Sequence, residues 1–368
     1  MKLFQQLLVA PAALGLLSPL SAIASEVNLD AISKYSEDNL EIDGNLFKQH
    51  SPNNTLLSGG EGLVDGGDFS GGFSETTTAS FGVDFLVGAV DAGTTGASEA
   101  TAFSYQMGIG LETSFTGEDA LSATIDIGNG AGAVAGSDGL NFDSTGDKLQ
   151  LDGLTYTFPV GGATVMVGDN TDISAVYTGA CAYSSFTDYM GNCGTGSSVG
   201  VGGSGVTAAM SYAFDSGFSL AGGVSSDPTK ILTEEGTDIY GIEAAYTADS
   251  YGIAVAYSDN ESSTFWGVNG TYAFDFATIS AGVESEDPGS ATKTGFFVGL
   301  SFPEVGAGSF DIGMGTSANY TSSDTEYYTY EASYSYPIND GMTITPGVYI
   351  KEGTTDTTGF AVKTSFSF

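Results

Sequence analysis

The sequence has no arginine, one histidine, one tryptophan and two cysteines in 368 residues, and after its first two dozen positions it contains no apolar run long enough for a membrane-spanning helix. Each absence excludes something. Eight Lys against 45 Asp and Glu leave a formal net charge of −37, so there is no basic surface for nucleic acid. The lone histidine, His50, precedes every extended segment, which removes Ser–His and Asp–His catalysis. No enzyme activity, cofactor or metal is expected. Gly200-Val201-Gly202-Gly203-Ser204-Gly205 has the glycine spacing of a nucleotide loop but precedes an extended run instead of a helix. "DNTD" at 169–172 lacks the spacing and distal glutamate of a calcium loop.

Without a spanning helix, a membrane location requires a closed barrel, because only helices and barrels satisfy every backbone group in lipid. Residues 1–24 read as a secretory signal peptide: Lys2, an apolar stretch from Leu7 to Leu20 broken by Pro11 and Pro19, and a small-x-small cleavage site at Ala22-Ile23-Ala24. Residues 25–72 read as a polar periplasmic linker with Gly59-Gly60, Gly66-Gly67 and Gly71-Gly72 as punctuation.

What is present from residue 73 onward is alternation with period two. Phe81, Val83, Phe85 and Val87 share one phase and Ser80, Gly82, Asp84 and Gly88 the other; Phe103, Tyr105, Met107, Ile109 and Leu111 stand against Ser104, Gln106, Gly108, Gly110 and Glu112. Sixteen such runs are expected at 76–90, 102–115, 119–128, 148–159, 163–168, 205–214, 217–224, 239–248, 250–258, 265–274, 276–284, 294–302, 308–316, 327–336, 341–350 and 359–368. Eighteen would result if residues 53–64 or part of 169–204 also paired. Many runs approach the roughly 9–11 residues that cross a bilayer, longer than the 5–6 usual in a sandwich. The fold class expected is all-β, a closed antiparallel transmembrane β-barrel.

The connections alternate between tight turns and long loops, as periplasmic turns and extracellular loops do. Phe115, Phe158, Phe214, Phe218, Tyr246, Tyr251, Phe274, Phe302, Phe310 and Tyr336 flank the tight turns, as an interfacial girdle would. The last run, "GFAVKTSFSF", places Phe360, Phe366 and Phe368 on the oily phase, and is expected to act as the assembly signal shown to the barrel-assembly machinery.

The leader "MKLFQQLLVAPAALGLLSPLSAIA", the following "EVNLDAISKYS", then "LLSGGEGL" and "GGFSETTTASF", and the terminal strand together resemble the cyanobacterial outer-membrane porins, relatives of the carbohydrate-selective porins. The resemblance covers nearly the whole chain, in a short form without the S-layer-homology domain of longer members. It implies an outer-membrane location, a homotrimer embedded in outer-membrane lipid, and passage of small hydrophilic solutes. Three functions stay open: a passive diffusion channel, a channel tuned to one nutrient such as an iron species, and a structural or adhesin barrel.

In barrels of this size the third long loop folds inward to narrow the channel, and here residues 169–204 are that loop. They contain both cysteines, Cys181 and Cys193, expected to form a disulfide in an exported chain and worth about 3 kcal/mol in the chain-entropy picture. The alternative is a stapled surface loop with no part in conduction. Inward-phase acids Asp84, Glu112, Asp126, Glu243, Asp311 and Glu331, opposed by little more than Lys363, predict a cation-preferring pore. Asp169, Asp172 and Asp188 are the candidates for its narrowest point. A solvated acidic surface is the bland reading of the same charge.

Overall fold

Alternating apolar and polar residues give each strand one oily and one wettable face, and joining all strands edge to edge leaves no sheet edge unpaired. The computed structural model describes residues 77–91, 101–129, 145–199, 205–234, 236–316, 321 and 323–368. The leader, the linker with His50, residues 53–64 and part of the glycine-rich 200–205 stretch lie outside the described residues. Sixteen strands follow in order: β1 (Thr77–Asp91), β2 (Ala102–Thr113), β3 (Ala120–Gly128), β4 (Gln150–Val160), β5 (Ala163–Thr171), β6 (Gly205–Ala213), β7 (Phe218–Ser226), β8 (Asp238–Thr247), β9 (Tyr251–Asp259), β10 (Thr264–Ala273), β11 (Thr278–Asp287), β12 (Lys293–Val305), β13 (Gly308–Thr316), β14 (Tyr328–Asn339), β15 (Met342–Lys351) and β16 (Thr357–Ser367). Each pairs antiparallel with its sequence neighbours, and β1 pairs with β16 to close the barrel. In the third loop the described residues form short helical turns instead of two further strands.

The faces are inverted relative to a soluble domain. Phe85, Val87, Phe103, Met210, Ile242, Ile253, Val255, Trp266, Ile312 and Val348 are exposed on the outside, while Asp84, Gln106, Ser225, Glu243, Asn269, Glu284 and Glu331 are buried on the inner phase. An exposed apolar surface wrapped around buried polar groups suits lipid outside the wall. The strand closing the barrel is sealed at its end: Phe368 and Phe81 exchange backbone hydrogen bonds of 2.8 and 3.0 Å, and their rings stack at 5.6 Å. Phe366 meets Phe85 edge-on at 5.9 Å, and Phe360 is exposed on the outer face.

Aromatic contacts run along the short-turn end: Phe115–Tyr156, Tyr156–Phe158, Tyr212–Phe214, Phe218–Tyr246, Tyr246–Tyr251, Tyr272–Phe274 and Phe302–Phe310 have ring centroids 4.6 to 6.4 Å apart. The β3–β4 register steps from Thr124↔Gly153 to Ile125↔Leu151, so Asp152, which the alternation leaves without a phase, is the extra residue of a bulge.

One tight turn is locked by a single carboxylate. Asp119 accepts hydrogen bonds from the Phe115 and Thr116 N–H groups (2.9 and 2.7 Å), from the Ser114 and Thr116 hydroxyls, and across to β4 from the Tyr156 hydroxyl at 2.7 Å. The Tyr156 hydrogen bond first, then those from Thr116 and Ser114, hold this carboxyl well below the usual aspartate range. A lowered carboxyl pKa adds stability that is complete above the ordinary aspartate value and lost as pH falls through the folded value. Asp119→Asn is therefore expected to lower the unfolding temperature of the barrel in detergent at neutral pH. The difference from wild type should shrink once the pH drops below about 4, as followed by circular dichroism melts.

Candidate pore constriction

The third loop begins after Thr171, where β5 ends, and its described part lies inside the barrel. The wall residues that hold it, among those described, are on the inner phase. A loop placed there loses water from its backbone without gaining a sheet ladder, so it needs acceptors from the wall. The sequence supplies them in a repeated triplet: Gly241-Ile242-Glu243 on β8, Gly267-Val268-Asn269 on β10 and Gly282-Val283-Glu284 on β11. In each, the middle residue points out, the acceptor points in, and the glycine clears space. A Cβ added at Gly241 would sit 2.6 Å from the Tyr177 hydroxyl, and one at Gly282 would strike the Cys193 carbonyl.

The loop can be followed along this track. Ile173, in the turn Ile173–Val176, is buried with Met166 and Ala209, and Val176, Tyr177 and Ile239 pack against that cluster. The N–H groups of Thr178 and Gly179 donate to Glu243 at 2.7 and 3.1 Å. Ala180 N–H donates to Asn269 Oδ1 at 3.1 Å, while Asn269 Nδ2 donates to Thr195 Oγ1 at 2.9 Å. One amide thus ties the outgoing limb to the returning one. The Cys181–Cys193 disulfide, with Cα atoms 5.7 Å apart, joins the same two limbs.

Farther out, Tyr183 packs on Phe297 at 4.9 Å between ring centroids, within a cluster containing Met190 and Cys193. Its hydroxyl donates to Glu331 on β14 at 3.0 Å. Burial first, then the charge of Glu331, pushes this phenol above its usual range, so it remains a donor. Glu331 also accepts from the N–H groups of Phe186 and Thr187 at 2.8 and 2.9 Å and from the Thr187 hydroxyl. On the return, the segment Asp188–Gly194 turns sharply where Asn192 and Cys193 have φ of +52 and +51°, and helix α1 (Gly196–Val199) follows. Ser198 N–H donates to Glu284 at 2.6 Å.

Two of the acids expected to line the channel, Glu243 and Glu331, are therefore anchors; each is only 3% exposed because the loop covers it. Asp311 is buried on β13 opposite Ser301 and Ser333. Asp84 accepts from Gln106 Nε2 at 3.0 Å; Glu112 and Asp126 sit on the inner phase of β2 and β3, and Lys363 on that of β16, in register with Leu86.

The three acids nominated for the narrowest point are not brought together. Asp169 is in β5, in register with the outward Leu154 and next to a bulge between Gly168 and Thr171, so it shares the outer face and is not a constriction residue. Asp172 caps the turn, accepting from Ser174 N–H at 2.8 Å and from the Ser174 hydroxyl. Asp188 is within the inward loop and exposed. Asn269, Glu284 and Phe186 were missed by sequence reasoning, although the glycine–apolar–acceptor triplet was there to be read.

A hydrogen bond to a charged group contributes about 1.5–3 kcal/mol, and each buried N–H left without an acceptor costs about 1–3 kcal/mol. Glu331→Ala orphans two N–H groups at once and is expected to free the loop to proteinase K in folded, detergent-solubilised protein. Glu331→Gln, which keeps one carbonyl acceptor, should be cut more slowly than Glu331→Ala. Cleavage of both at the wild-type rate would show that the loop does not depend on this anchor.

No protein-family model matches the sequence, and no curated protein does. Solved structures do match. Pseudomonas putida OprB superposes with a TM-score of 0.63 at 11% identity, over 80% of this chain and 94% of that one. Altered forms of the Rhodopseudomonas blastica porin superpose at 0.56 with 17% identity and at 0.55 with 16%, over 79% of this chain and the whole of theirs. At such identities the likeness establishes the fold alone: the chain is a sixteen-stranded barrel of the bacterial porin fold.

Proposed function

We propose that the protein is an outer-membrane porin, a passive diffusion channel for small hydrophilic solutes and ions with a preference for cations. The observation that carries this reading is the inward loop: a closed barrel with an oily exterior holds residues 172–199 against its inner wall by acceptors on β8, β10, β11 and β14. A purely structural or adhesive barrel has no need of a loop folded inward and fastened at four strands. The porin-fold neighbours support the same reading, as does the resemblance to cyanobacterial porins.

Cation preference follows from which charges remain. With Glu243, Glu284 and Glu331 committed to the loop, the inner-phase acids not fastened to it are Glu112, which is exposed, and the buried Asp84, Asp126 and Asp311; Asp188 is exposed on the loop, and Lys363 stands in opposition. The absence of arginine means no arginine cluster can face them. At about 0.15 M salt the Debye length is roughly 8 Å, so distant loop acids contribute little. Phe360, Phe366 and Phe368 serve as the assembly signal, and the mature chain inserts as a homotrimer.

In a planar bilayer under a potassium chloride gradient, the wild type is expected to give large ohmic steps and a reversal potential of cation-selective sign. Replacing Asp84 and Asp126 by Asn and Glu112 by Gln together should move that potential toward zero, whereas Asp169→Asn should leave it unchanged. An anion-selective wild type would refute the charge assignment, and absence of any conductance would refute the channel.

A further inference from the structure

The tip of the loop is fastened twice, and only one fastening is polar. Glu331 holds the backbone at Phe186 and Thr187, while the Phe186 side chain travels on past β14. It ends, 7% exposed, in a cluster with Tyr349 of β15, Ala361 of β16, and Leu86 and Val90 of β1. These strands include the two whose pairing closes the barrel.

The strand registers explain why a ring fits there. Gly347 on β15 pairs with Ala361 on β16, which pairs with Gly88 on β1, making one row of very small residues across three strands. The neighbouring rows carry bulk: Tyr349, Gly359 and Val90 on one side, and Thr345, Lys363 and Leu86 on the other. The result is a trough with an apolar rim at Val90, Tyr349 and Leu86. A Cβ on Gly347 would lie 2.5 Å from the Phe186 ring, so the trough accepts that ring only because residue 347 has no side chain.

We propose that Phe186 is a positioning residue for the channel: its ring, seated in the Gly347–Ala361–Gly88 trough across the closing seam, fixes the tip of the inward loop and thereby the width of the passage. The inference rests on the porin reading and adds to it the residue that sets the aperture. Hydrogen bonds donated to Glu331 fix where the backbone crosses β14 but leave the tip free to swing about that point. A ring trapped on three further strands removes that freedom. Sequence supports the division of labour, since Phe186 is the only phenylalanine between Phe158 and Phe214.

The test uses the full chain with two readouts, single-channel recording in planar bilayers and proteinase K cleavage of the loop in detergent. Phe186→Ala is expected to lose the single sharp conductance level in favour of a broad distribution, and to be cleaved faster within residues 172–199. Phe186→Leu, which refills the trough with apolar volume, should restore the sharp level. Gly347→Ala, which leaves the loop sequence untouched and displaces the ring from the wall side, should reproduce the Phe186→Ala behaviour; it decides the matter if Phe186→Ala does not insert. A sharp wild-type level and wild-type cleavage in both Phe186→Ala and Gly347→Ala would overturn the proposal. If the wild type itself is silent in bilayers, the porin reading fails, and the cleavage rates still decide whether Phe186 holds the tip.

Discussion

A backbone N–H of the third loop donated to a buried acceptor on the barrel wall is the interaction on which the interior of this protein depends. Neither side of it can stand alone. A loop lying against the inside of a barrel carries N–H groups that water no longer serves, and Glu243, Glu284 and Glu331 are carboxylates with almost no exposed surface. Brought together, each removes the other's penalty: Thr178, Gly179, Phe186, Thr187 and Ser198 all donate to these three side chains. The loop and the wall therefore specify each other, and the disulfide with Asn269 keeps the two limbs of the loop side by side while they do so.

That commitment redistributes charge. An acid anchoring the loop is covered by it, so a chain with a net charge of −37 has fewer acids facing the inside of the barrel than its composition suggests. The inner faces of β1–β3 and of β13 carry acids that are not loop anchors. Wall glycines complete the arrangement. They bring no side chain to the inner face, and one at Gly241, Gly282 or Gly347 would occupy the space the loop fills.

The barrel was largely legible in the sequence because side-chain alternation reports directly which face a residue takes. Every expected run has a strand, and even the phase break at Asp152 corresponds to a bulge. What alternation does not report is what lies against a face. Glu331 reads the same on paper whether it meets water or the backbone of a loop 144 residues earlier in the chain. Asp169 was misplaced for a related reason: β5 runs on to Thr171, past the point where its apolar pattern stops, so a residue that looks like loop is strand and faces outward. The inward glycines were the overlooked signal, since a glycine two residues before an acceptor on the same face marks where another segment must approach.

Amide hydrogen exchange of the folded barrel tests the wall-bound loop most directly. The N–H groups of Thr178, Gly179, Phe186, Thr187 and Ser198 belong to no sheet, yet they should exchange as slowly as amides in the middle of β8–β14. Exchange at the rate of an exposed connection, such as the residues joining β7 to β8, would contradict the account, because the loop would then not be held by its wall acceptors.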